Sequence, residues 1–101
     1  MLIYNVTVNV EHDVHDDWFK WMREKHIPDV LKTGFFESYR MCKVMGDEDT
    51  GGVTYAIQYF CPGMEHLREY QRVAAPALQQ EHNERYKDKF VAFRTLLEVI
   101  D

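Results

Sequence analysis

The chain has 101 residues, enough for one domain around one core and too few for a second independent unit. Its 46% hydrophobic, 14% aromatic and 29% charged residues exclude the apolar-poor profile of a disordered chain. Twelve Lys and Arg against seventeen Asp and Glu give a net charge of −5, which removes the electrostatic basis for binding nucleic acid or an anionic membrane.

Leu2 to Val10 sets Tyr4, Val6, Val8 and Val10 against Ile3, Asn5, Thr7 and Asn9, the period of two that marks a strand. The N-terminus, Met1 to Val10, carries no basic head and no continuous apolar run, so a cytoplasmic protein is expected. From Val14 the apolar spacing becomes helical through Trp18, Trp21, Met22, Val30 and Leu31, with early acids and later bases that suit the helix dipole. Pro28 disfavours helix at His26-Ile27 and predicts a kink or break there; Lys32-Thr33-Gly34 is the stop. Phe35 to Met45 reads as a second strand, joined through the acidic turn Gly46 to Gly52 to a third over Val53 to Cys61. A second helix is predicted over Met64 to Arg85, bent at Pro76, and Phe90 to Ile100 supplies the last strand. The order is βαββαβ. It predicts a single ferredoxin-like α+β domain over residues 1–101, a four-stranded antiparallel sheet with two helices on one face. Cys42 and Cys61 lack any paired spacing and read as free thiols.

Both faces of this sheet carry large apolar groups. Strand four places Val91, Phe93, Thr95, Leu97 and Val99 on one side and Phe90, Ala92, Arg94, Leu96, Glu98 and Ile100 on the other. Two helices cover one face only. Leaving Phe90, Leu96 and Ile100 in water would forfeit roughly 1.5–3 kcal/mol each, against a total stability of about 5–15 kcal/mol for a small domain. A twofold homodimer through the helix-free sheet face buries both copies at once and is the expected partner.

The layout resembles the dimeric α+β barrel superfamily, which includes antibiotic-biosynthesis-type and heme-degrading monooxygenases. More closely, Ile3 to Val10, His26-Ile27-Pro28-Asp29-Val30-Leu31, Thr33-Gly34-Phe35 and Phe90 to Glu98 are similar to a family of short bacterial proteins classed as a domain of unknown function. The resemblance implies a pocket between sheet and helices. In the heme-degrading relatives an Asn on the first strand, a Trp near the end of the third and a His on the second helix form the site. Asn5 and His82 stand at the first and third places, while Tyr59 or Phe60 stands where the Trp is missing.

Two histidines have proton-transfer chemistry near neutrality. His82 lies in the polar run Gln79 to Arg85, where a solvent-facing position is the simpler reading; His26 precedes the Pro28 break, with Asp29 as an orienting carboxylate. Asn5, Gln58, Tyr59 and Arg94 are the expected ligand-binding residues, because polar groups in otherwise apolar strands need partners. Arg94 is suited to an anionic group, or to an internal ion pair with Glu98. Trp18, Trp21 and Met22 read as helix core. His12 and His15 beside Asp13, Asp16 and Asp17 read as a capped helix start, so no metal site is expected. No nucleotide-binding glycine loop or serine-nucleophile motif occurs and no cofactor is expected. Two functions remain: a small-molecule binder or cofactor-independent enzyme resembling a monooxygenase or isomerase, and a noncatalytic dimerisation module.

Overall fold

The computed structural model describes residues 1–46 and 51–101; residues 47–50 of the expected acidic turn lie outside the described set. Strand β1 (Leu2–Glu11) is central, paired antiparallel with β3 (Gly52–Cys61) on one side and β4 (Phe90–Glu98) on the other. Strand β2 (Ser38–Lys43) pairs antiparallel with β3, so the sheet order is β2-β3-β1-β4, that of the ferredoxin-like fold. No helix among the described residues is long and apolar enough to cross a membrane.

The register sorts the side chains as alternation requires. Tyr4 lies between Tyr59 and Leu96, Val6 between Ile57 and Arg94, and Val8 between Tyr55 and Ala92, all on the helix-covered side. Asn5 lies between Gln58 and Thr95, and Thr7 between Ala56 and Phe93, on the opposite side. Gly52 has a specific reason to be glycine: a Cβ there would meet the Val10 carbonyl oxygen at 2.5 Å and the Asn9 side chain at 2.6 Å.

Pro28 does not break the first helix. A tight turn (His12–Val14) leads into α1 (His15–Trp21), the helix widens to a π turn over Met22–His26, and it continues as α2 (Ile27–Lys32). The Ile27 N–H reaches back five residues to the Met22 carbonyl, so one extra residue is absorbed just before the proline ring. Gly34, at φ 84°, ends the element in the left-handed conformation. The second strand is shorter than predicted because Phe36 turns inward to pack on Tyr70 at 4.7 Å and Tyr59 at 5.3 Å, leaving pairing to start at Ser38. The Pro76 bend resolves into two helices, α3 (Met64–Val73) and α4 (Ala75–Arg85), joined at Ala74 with φ −120°. The sheet separates the two free thiols, Cys61 on the helix side and Cys42 on the other.

The open face is not where Phe90 and Leu96 point. Phe90 is half-buried under α4 and Leu96 sits at the sheet edge on the helix side. On the open face β4 leaves Val91 (69% exposed), Phe93 (62%) and Leu97 in water around a polar centre formed by Asn5 and Thr7, while Leu96 at the edge and Ile100 beyond the strand are exposed as well.

Candidate functional site

The helix-covered side of β1 and β4 meets the π turn and α4 in a cluster of aromatic and imidazole rings. The widened turn rotates His26 inward, where its ring lies 5.7 Å from that of His82 and 5.2 Å from that of Trp21. His82 is buried, at 7% exposure, contrary to the solvent-facing position its polar neighbours suggested. Helical geometry explains the difference. Within Gln79 to Arg85 only His82 is buried, and the first buried residue after it, Tyr86, follows one turn later; the residues between them take the wet face.

His82 is tied to the first helix. The Trp18 indole N–H donates to His82 Nε2 at 2.9 Å, and its ring stands edge-on to Phe90 with centroids 4.4 Å apart. An indole nitrogen can only donate, so Nε2 of His82 carries no proton and Nδ1 does. Burial pushes both imidazoles down to about 4; nearby cations act in the same direction on each, and for His82 so does His26. At neutral pH both rings are uncharged. The sequence suggested Asp29 as the carboxylate orienting His26; instead Asp29 pairs with Lys25 one turn earlier. His26 Nδ1 is left buried with no hydrogen-bond partner among the described residues.

Two cavities of about 30 Å³ each flank His26, and both are walled by Val6, His26, Gln79 and Arg94. The first extends toward Tyr4, Tyr59 and Tyr70; the second runs under His82 and Phe90. Each has room for about one water molecule. Arg94, exposed at the mouth, forms no ion pair with Glu98; its Nε donates to the Tyr4 hydroxyl at 3.0 Å. Desolvation holds the Tyr59 and Tyr70 phenols above the usual tyrosine range, so these two remain protonated donors.

The six residues singled out from the sequence therefore fall into two groups. His26, His82, Tyr59 and Arg94 come together between sheet and helices. Asn5 and Gln58 are cross-strand neighbours on the opposite face, where Asn5 donates to Thr7 at 3.0 Å and Gln58 accepts from Arg40 at 2.7 Å and 3.2 Å. A sheet separates Asn5 from His82, the His82 Nε2 is occupied by Trp18, and the cavities hold about a water each. These residues do not fit a heme. Tyr4, Tyr70, Gln79 and the Trp18 hydrogen bond belong to the site and were missed. Tyr4 shares the parity of Val6 and was open to discovery, whereas Gln79 lay hidden in a polar run.

A second ring of contacts sits beyond the cluster. His15 Nε2 lies 2.7 Å from the Tyr55 hydroxyl and its Nδ1 2.9 Å from Asp16. The contact with Tyr55 pins the start of α1 to β3.

No curated protein matches the chain in sequence. Solved structures share its fold. An ethyl tert-butyl ether degradation (EthD) family protein from Bacillus halodurans superposes with a TM-score of 0.71 at 11% identity, over 99% of this chain and 100% of that one. A dimeric ferredoxin-like protein from an uncultured marine organism gives 0.71 at 9%, covering 100% and 96%. An antibiotic biosynthesis monooxygenase gives 0.65 at 13%, covering 100% of both chains. At such identities the likeness is one of fold. Residues 1–100 match the family model of the domain of unknown function DUF4286, and the chain belongs to that family.

Proposed function

We propose that the chain is a homodimer that binds a small organic ligand in the cleft between sheet and helices and handles a proton there without a cofactor, in the manner of a monooxygenase-like or isomerase-like enzyme. One observation carries this reading: His26 is a half-buried, uncharged imidazole whose Nδ1 is itself buried and unpartnered among the described residues, set between two cavities with Arg94 at their mouth. An unmet polar atom in a core costs about 1–3 kcal/mol. A site that keeps such an atom next to empty space is organised for something that comes and goes. His26 is then the group that touches the ligand. His82, whose Nε2 is spent on Trp18, is a positioning residue that packs against it. Gln79 is half-buried and Arg94 exposed, so both can move aside and join the two cavities into one cleft.

The homodimer reading rests on Val91, Phe93 and Leu97, and on the dimeric state named for one structure of the same fold. In it a second copy covers the helix-free face, closing over Asn5, whose Oδ1 is also buried without a hydrogen-bond partner among the described residues.

A noncatalytic dimerisation module is the second reading, favoured by the small size of the cavities, about 30 Å³ each. Protein-observed NMR with a library of small polar organic compounds separates the two. Ligand binding predicts compounds that shift the His26, Gln79 and Arg94 signals together, with His26→Ala abolishing the response. A library that leaves these three signals unmoved contradicts it and leaves the module.

A further inference from the structure

Of the twelve Lys and Arg, Lys25, Arg72, Arg85 and Lys89 pair with a carboxylate among the described residues; Arg94 is set apart from the other cations by walling both cavities. Arg94 has no carboxylate within ion-pairing distance among the described residues. Its Nε is spent on the Tyr4 hydroxyl, which orients the guanidinium and leaves both terminal nitrogens without a hydrogen-bond partner among those residues. They belong to a side chain that walls both cavities together with His26, whose Nδ1 is also unpartnered among the described residues.

We infer that the cleft takes a short organic monocarboxylate, its carboxylate held by the terminal nitrogens of Arg94 and a hydroxyl or oxo group on the adjacent carbon hydrogen-bonded to His26 Nδ1. This deepens the ligand-binding reading and rests on it. The chemistry is selective. A guanidinium offers parallel donors that match the two oxygens of a carboxylate. One cation between uncharged histidines balances one negative charge, so a dianion such as a phosphate monoester would bring an uncompensated charge against Val6, Ile57 and Val30. A ligand cation meets Arg94 itself. Each cavity of about 30 Å³ holds about one water as it stands, so an acid of five or six heavy atoms enters only when Gln79 swings out and the two cavities join.

The test titrates the labelled protein with glycolate and pyruvate, and with glycolamide and pyruvamide, at constant ionic strength in sodium chloride, following the His26 ring and the Arg94 Nε–H signals. The acids are expected to bind at least tenfold more tightly than their amides. Arg94→Gln is expected to lose at least tenfold in acid affinity and Arg94→Lys to lose less, both keeping the native spectrum because Arg94 is exposed. Equal affinities for acid and amide, or unchanged acid affinity in Arg94→Gln, overturn the inference while leaving a ligand cleft standing. If none of the four compounds moves the His26 signals, the monocarboxylate assignment falls, and the broader library decides the fate of the cleft.

Discussion

Trp18 and His82, sixty-four positions apart, share a buried hydrogen bond of 2.9 Å that joins the first helix to the last and dictates which imidazole nitrogen bears the proton. Trp18→Phe removes the donor, strands Nε2 of His82, and is expected to cost about 1–3 kcal/mol. Urea unfolding should report that loss. Nitrogen NMR of the His82 ring should report a second effect that mere loss of packing does not produce, namely a mixture of tautomers in place of one.

Acid should weaken this fold through the same two rings. His26 and His82 titrate near 4 in the native state and near 6.5 when unfolded, so between those values the unfolded chain binds more protons. Their depressed native pKa makes stability level above about pH 7.5 and falling as pH drops from about 6.5 toward 4. The ceiling is roughly 3 kcal/mol for each ring at 1.36 kcal/mol per pH unit. Asp29 opposes the shift at His26, while Lys25 and Arg94 reinforce it. Urea midpoints across pH 7.5 to 4.5 check the slope. His82→Gln keeps an acceptor for Trp18 and should halve it; an unchanged slope contradicts the assignment.

Gly52→Ala should be costly although no positive φ is involved. The added methyl meets a backbone oxygen at 2.5 Å in a strand paired along its length, where nothing flexible can yield. Overpacking of this kind costs about 1–3 kcal/mol. Since 1 kcal/mol moves the midpoint by roughly 4–8 °C in a domain of this size, a melting curve within one degree of wild type would refute the contact.

Much of this architecture was legible because local signals agreed with one another. Parity separated Tyr4 and Val6 from Asn5 within β1, and Arg94 from Phe93 within β4, without a bulge; that Arg94 shares the face of Val6 comes from the register. What parity could not tell was which face the helices cover, and so Phe90 and Leu96 were taken for open-face residues. Pro28 announced an irregularity, yet a missing N–H is equally compatible with a break and with a π turn. Only the packing of His26 against Trp21 and His82 selects the latter. His82 itself was masked by six polar neighbours, since one buried residue per turn leaves almost no periodic trace. The grouping of Asn5 with His82 failed for a simpler reason: a resemblance in chain order says nothing about which side of the sheet each residue faces.

Phe93 offers a direct handle on the open face. It is 62% exposed beside Val91 and Leu97, so Phe93→Glu puts a charge where a second copy would sit without touching the helix-side core. The variant should fold with a melting profile near that expected for a lone subunit and lose any dependence of stability on protein concentration.

Both functional readings require that second copy, and sedimentation equilibrium at micromolar concentration tests it most directly. The account predicts a mass of twice 12.1 kDa for the wild type and the single-chain value for Phe93→Glu. A wild-type mass of 12.1 kDa across that range would contradict it.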